Sequence, residues 1–256
     1  MIFDTHSHYD DGRFDEDRDE LIASFPENGI GAVCNVCSDL PSLESVKDLV
    51  EKYDFFYGAV GIHPSDCGDL TQDDLDRILL LTQMERIVAV GEIGLDYYWD
   101  TPSRSIQKEW FSKQLTMAVE RHIPVVIHSR QAPEDTYDIM KACRAGDAGG
   151  VVHCYSYDRA WAEKFLDMGF YLGIGGVVTF KNSPALRETV EYMPAERIVV
   201  ETDCPYLAPE PYRGKRNSSL YLKYVISKIA QLKGLSNTEV EDITWENACR
   251  LYRIWE

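Results

Sequence analysis

The sequence predicts a (β/α)8 TIM barrel, formed by a single domain over residues 1–256. Three observations carry this reading. Eight short, β-branched apolar runs alternate with longer amphipathic segments from end to end. The runs are continuously apolar, as in strands covered by helices on both faces. The chain length of 256 residues is what eight such units need.

The strand candidates are 2–5, 31–36, 56–61, 87–91, 125–127, 151–153, 171–174 and 198–202. Thr71-Gln72-Asp73-Asp74 has the form of a capped helix start ahead of Leu75, Ile78, Leu79 and Leu81. Trp110, Phe111, Leu115, Ala118 and Val119 recur at helical spacing and face a core. Leu166 lies late in a similar stretch that Gly169 stops. Linkers, repeats and low-complexity segments are lacking. Residues 205–219, with Pro205, Pro209, Pro211 and Gly214, form a long loop after the eighth strand. Beyond it, 220–233 and 238–252 predict two terminal helices packed on the outside of the barrel.

Bulk properties limit the partners. The 26 Lys and Arg against 43 Asp and Glu give a net charge of −17. Such a surface repels long duplex nucleic acid and anionic membranes, yet permits a phosphate in a cleft that holds divalent cations. No apolar run approaches a membrane span and the N-terminus lacks a leader pattern, so the expected location is cytoplasmic, with no membrane and no obligate protein partner. Seven scattered cysteines fit reduced thiols. The lone Cys34-x-x-Cys37 lacks a second pair, and Pro41 and Ser42 place the next helix too late for a redox motif, so both read as buried thiols.

The chemistry lies at the strand ends. His6 and His8 are two residues apart on an extended run and point to one face, as two ligands of one ion would. Glu92, His128, His153 and Asp203 each stand at the carboxyl end of a strand candidate, where barrel active sites lie. His122, in a helix-to-strand turn, carries no role. Imidazoles with carboxylates suit zinc, manganese, iron, cobalt or nickel better than calcium. Six ligands exceed what one catalytic zinc accepts, so two divalent ions are expected. Glu92 is the expected bridge, with His6, His8, Glu92 and Asp203 on one ion and Glu92, His128 and His153 on the other. Such a pair activates a water and steadies a leaving oxygen. Asp203 is then placed to accept the water's proton, Glu201 to orient the site from behind or assist the proton transfer, and Asp4 to polarise an imidazole. His63, in Gly61-Ile62-His63-Pro64, reads as a substrate contact or proton donor. Arg213-Gly214-Lys215-Arg216 is the densest basic run; it grips a phosphate or is a solvated cluster, and Arg130 is a similar candidate. Tyr97, Tyr98, Trp99, Tyr155 and Tyr206 are candidates for base stacking, though each is a packing residue by default.

Several of these segments resemble motifs of TatD-type deoxyribonucleases. They are Phe3-Asp4-Thr5-His6-Ser7-His8, Gly91-Glu92-Ile93-Gly94-Leu95-Asp96-Tyr97, Ile127-His128-Ser129-Arg130, His153-Cys154-Tyr155-Ser156, Glu201-Thr202-Asp203-Cys204-Pro205-Tyr206-Leu207 and Arg213-Gly214-Lys215-Arg216-Asn217. The resemblance runs from the first strand to the last helix. It implies an amidohydrolase-like TIM barrel and a magnesium-dependent exonuclease acting on DNA, chiefly from the 3′ end of single strands. It implies metal roles for His6, His8, Glu92, His128, His153 and Asp203, and a substrate role for His63. Ser65 stands where the family often has a second His, and Asn217-Ser218-Ser219 where it often has Asn-Glu-Pro; both departures bear on substrate preference. Imidazole-rich ligation favours Zn²⁺ on affinity, whereas the resemblance implies Mg²⁺ or Mn²⁺ for activity. The competing reading is a metal-dependent hydrolase of a small phosphoester, amide or lactone. Relatives bridged by a carboxylated lysine would need Lys where this chain has Glu92. More distant is a non-catalytic metal-binding scaffold.

Overall fold

The structure, a computed structural model, describes residues 1–254; Trp255 and Glu256, which end the expected domain 1–256, lie outside the described residues. Eight strands run parallel in sequence order: β1 Ile2–Ser7, β2 Ile30–Val36, β3 Phe56–Val60, β4 Ile87–Asp96, β5 Val125–Arg130, β6 Gly150–Val152, β7 Tyr171–Ile174 and β8 Ile198–Val200. The ring closes just beyond β8. Ser7 bridges Cys204, and the Asp203 N–H donates to His6 O and the His8 N–H to Cys204 O, both at 2.9 Å. Every strand read from the sequence is present, and β4 and β5 run on past their apolar cores to Asp96 and Arg130.

Nine helices occur among the described residues: α1 Arg18–Ala23, α2 Ser42–Lys52, α3 Gln72–Leu81, α4 Arg104–Glu120, α5 Pro133–Ala142, α6 Arg159–Asp167, α7 Pro184–Tyr192, α8 Leu222–Lys233 and α9 Asn237–Tyr252. Thr71 and Asp74 form the expected capping box of α3, and Ser236 and Glu239 form a second at α9. No described helix is long and apolar enough to cross a membrane.

Alternation along the strands makes two apolar layers. Val33, Val60, Ile93, Ile127 and Leu172 pack outward against Val46, Phe111, Leu115 and Phe165 of the helices. A second cluster joins Phe3, Cys34, Val36, Ala59, Ala89, Val126, Val151 and Val199, with small side chains where strands converge. Cys34 and Cys37 are buried thiols, and burial pushes both up, Cys34 to about 12. That supports their reading as inert.

One placement differs from expectation. Rather than lying along the outside of the barrel, α9 covers its amino-terminal mouth. Trp245, Ala248, Cys249, Leu251 and Tyr252 join the second cluster, and Phe3 meets the rings of Trp245 and Tyr252 at 5.8 and 5.9 Å. The Tyr252 hydroxyl donates to Thr5 O at 2.7 Å, and Asn247 Nδ2 donates to Ile198 O at 2.8 Å. The reason is local: this helix carries its large apolar residues toward strand starts that need a floor.

Removing the floor should be measurable. Tyr252→Ala is expected to cost about 3–5 kcal/mol and Tyr252→Phe about 1 kcal/mol, read from urea unfolding. A loss below about 1 kcal/mol for the alanine variant would mean that α9 does not seal the barrel.

Candidate metal centre

The carboxyl-terminal mouth gathers six side chains from five strand ends. A register irregularity in β1 between Asp4 and Ser7 breaks the simple alternation there. His6 and His8 both turn inward, their Nε2 atoms 3.1 Å apart. His8 Nδ1 lies 2.8 Å from Val36 O, a carbonyl that can only accept, so Nδ1 carries a proton and Nε2 is the nitrogen turned to the centre.

Glu92, buried in the middle of β4, spans the site. Its Oε1 lies 2.6 Å from His128 Nδ1 and 3.0 Å from His153 Nε2. Its Oε2 faces the other way, 3.1 Å from His6 Nε2 and 3.9 Å from His8 Nε2. Asp203 completes the second side, with Oδ1 3.3 Å from His8 Nε2 and 3.7 Å from His6 Nε2. The His6 and His153 rings stack between the two sides at 4.0 Å. Ligand atoms around a small tetrahedral ion with bonds near 2.0–2.1 Å stand about 3.3 Å apart, and the inward nitrogens and oxygens are spaced in this range. Imidazole nitrogen and carboxylate oxygen are a donor set that suits a divalent cation. Among the described residues three groups have donor atoms all within 4.8 Å of one another: His6, His8 and Asp203; His6, His153 and Glu201; and His63, Glu92 and His128.

The fields follow from this geometry. Burial opposes charge on Glu92, but the His153 and His128 imidazoles outweigh it and hold the carboxyl well below its usual range. Burial likewise works against His8, yet the Asp203 carboxylate beside it drives the ring up to about 10. His128 is up at about 9 against its burial because Glu92 and Asp96 flank it. Burial, with a neighbouring imidazole in each case, pushes His6 down to about 4 and His63 down to about 3. The mouth of the barrel is a dense set of acceptors in which carboxylates attract whatever positive charge can enter.

Several residues sit otherwise than their spacing suggests. Asp4 touches no imidazole. It accepts from Thr202 Oγ1 at 2.7 Å and Ser219 Oγ at 2.6 Å, lacing β1 to the chain after β8, because the β1 irregularity separates its face from that of His6. Glu201 is fully buried 3.9 Å from His153 Nδ1, and its Oε1 accepts from the Cys154 N–H. A Cβ on Gly173 would stand 2.1 Å from Glu201 Oε2, so glycine there makes the seat for this carboxylate. His63 lies closer in than its loop suggests, with Nε2 3.6 Å from Glu92 Oε1 and its ring edge-on to His128. Arg216 is occupied: it makes a two-pronged pair with Asp17 at 2.7 and 2.5 Å. Among the described residues no carboxylate pairs with Arg130, Arg213 or Lys215, and all three are exposed. Tyr155 is buried and donates to Asp158 O, which removes it as a stacking surface.

Sequence reasoning passed over Asp96. It is 1% exposed, and its Oδ2 lies 3.1 Å from His128 Nε2. A proton on Nε2 held by this carboxylate leaves His128 Nδ1 free for the centre, the usual second partner of a metal-ligating imidazole. The available signal was its spacing in β4, four residues after Glu92. Gln107 holds the same strand end, accepting from the Asp96 N–H at 2.9 Å, and Gln114 clamps Ile62 N–H and O at 2.8 and 3.1 Å.

A profile of the family described as TatD related DNase matches residues 3–253. The chain belongs to this family. It is 43% identical over 99% of its length to the uncharacterized metal-dependent hydrolase YabD of Bacillus subtilis, all of which is covered. It is 36% identical to YcfH of Escherichia coli, also named an uncharacterized metal-dependent hydrolase, over 99% of this chain and 96% of that one. Among solved structures, YJJV, the TatD homologue of E. coli K12, superposes with a TM-score of 0.92 at 26% identity over 98% of both chains. An uncharacterized amidohydrolase of Saccharomyces cerevisiae gives 0.88 at 17% identity, over 98% of this chain and 99% of that one; it shares the fold. This TatD-family member is accordingly a metal-dependent hydrolase.

Asp96→Ala should weaken divalent-metal binding about 10- to 100-fold, measured by competition with a chromogenic chelator. Unchanged affinity would show that Asp96 does not hold His128 for a metal.

Proposed function

We propose that the chain is a phosphodiesterase of nucleic-acid ends, an exodeoxyribonuclease that shortens single-stranded DNA from 3′ to 5′. One observation carries this reading most: Glu92 turns one oxygen to His128 and His153 and the other to His6 and His8. A carboxylate so placed is what two ions sharing a bridge require, and paired ions are a common solution for displacement at phosphorus. Polarity and substrate draw support from a relative in Klebsiella pneumoniae, 29% identical over 99% of this chain and 98% of its own, named 3'-5' ssDNA/RNA exonuclease TatD.

In this reading His6, His8, Glu92 and Asp203 hold one divalent ion and Glu92, His128 and His153 the other. When bound, Mg²⁺ or Mn²⁺, or Zn²⁺ taken up for its affinity, would supply a water of lowered pKa and neutralise phosphate charge. Asp203 faces the histidine pair through Oδ1, which leaves its second oxygen to take the proton of the attacking water. Glu201 acts from behind, accepting from the Cys154 amide with its carboxylate 3.9 Å from His153 Nδ1. His63, beside Glu92 and His128, contacts the phosphate. Arg213 and Lys215, on the loop after β8, and Arg130, at the end of β5, offer cationic groups to the flanking phosphates. The net charge of −17 restricts this attraction to the mouth, which favours an end over a long duplex.

The test restores Mg²⁺, Mn²⁺ or Zn²⁺ to metal-stripped protein and follows end-labelled single-stranded DNA and RNA. Stepwise shortening from the 3′ end is expected, with a loss of about 1,000-fold or more in Glu92→Ala, since groups sharing one task fail together. No shortening by protein that has bound two ions would contradict the proposal and turn attention to small phosphoesters, amides and lactones.

A further inference from the structure

The rim where β4 and β5 end exposes large aromatic surface beside the centre. Tyr98 is 51% and Trp99 62% exposed, their rings edge-to-face at 5.0 Å. The Arg130 guanidinium lies over the Tyr98 ring at 4.0 Å from its centroid. Leaving an indole and a phenol in water forgoes the burial that such side chains usually obtain. Their backbone is nevertheless firmly held. Asp96 Oδ1 accepts the N–H groups of both Tyr98 and Trp99 at 2.9 Å, while Oδ2 of the same carboxylate faces His128 Nε2 at 3.1 Å. Next to them, the Tyr97 N–H donates to Arg130 O at 2.9 Å, and the Tyr97 hydroxyl donates to Asp135 at 2.5 Å. One buried side chain therefore sets both the ring pair and an imidazole of the centre.

We propose that Tyr98, Trp99 and Arg130 form a stacking platform for an unpaired base next to the scissile phosphodiester. The inference rests on the nucleic-acid reading of the same site. Every base has a π-face, so open aromatic faces bind a strand without regard to sequence. In a duplex those faces are covered by neighbouring pairs, and only a frayed or single-stranded end can offer one. Arg130 adds a cation that stacks and reaches phosphate together. The platform thus selects single-stranded ends, and Asp96 fixes its distance from the ions. Tyr206, also exposed, has its hydroxyl engaged, donating to Asp11 at 3.3 Å.

The test uses metal-loaded full-length protein and a short fluorescein-labelled oligothymidylate whose 3′-terminal linkages are phosphorothioates that resist cleavage. Fluorescence anisotropy gives Kd for the wild type, Trp99→Ala and Tyr98→Ala, on this oligonucleotide and on one with abasic 3′-terminal residues. Each substitution should raise Kd about 5- to 150-fold on the normal strand and less than about twofold on the abasic one. Equal weakening on both strands, no weakening, or a wild type that does not bind would overturn the platform. Binding that follows the expected pattern without cleavage of ordinary oligothymidylate would instead overturn the exonuclease reading and leave the platform standing.

Discussion

The Glu92 carboxylate is the constraint around which the rest of the molecule is arranged. A carboxylate 3% exposed is costly unless positive charge or strong donors surround it. Here His6, His128 and His153 approach within about hydrogen-bonding distance, and His63 and His8 stand just outside. Five imidazoles around one carboxylate exceed what its stability alone requires. The surplus is lone pairs directed at the same space, and that is the property a divalent cation responds to.

The scaffold makes this crowding tolerable. Strand β4 runs from Ile87 to Asp96, so one rigid element carries both the Glu92 carboxylate and the carboxylate that faces His128. Gln107 and Gln114, both buried on α4, tie the ends of β4 and the chain after β3 to that helix. Asp4, Thr202 and Ser219 lace the seam where β1 meets the chain beyond β8, which keeps His6, His8 and Asp203 in one place. With α9 sealing the opposite mouth, the side chains of the centre face a single opening. At that opening stand exposed cations and exposed rings, on a chain with a net charge of −17.

Much of this is legible in the sequence. Strands covered on both faces betray themselves as unbroken apolar runs, and a polar residue ending such a run is conspicuous, which is why His6, His8, Glu92, His128, His153 and Asp203 could be picked out and do converge. What failed was whatever depends on a partner distant in sequence or on a local break in alternation. Asp4 was assigned to His6 by strand parity, and the β1 irregularity cancelled that parity. Asp96 was overlooked because β4 outlasts its apolar run. Arg216 read as an available cation until Asp17, far away in sequence, proved to hold it. Tyr155 and Tyr98 look alike as letters; burial alone separates a packing ring from an open one.

The central claim, one carboxylate shared by two ions, is tested most directly by electron paramagnetic resonance of protein loaded with Mn²⁺, with the bound metal counted. The account predicts two ions per chain whose spectrum shows exchange coupling through a bridge, and loss of that coupling in Glu92→Gln. A single ion per chain, or two ions with uncoupled spectra in the wild type, would contradict it.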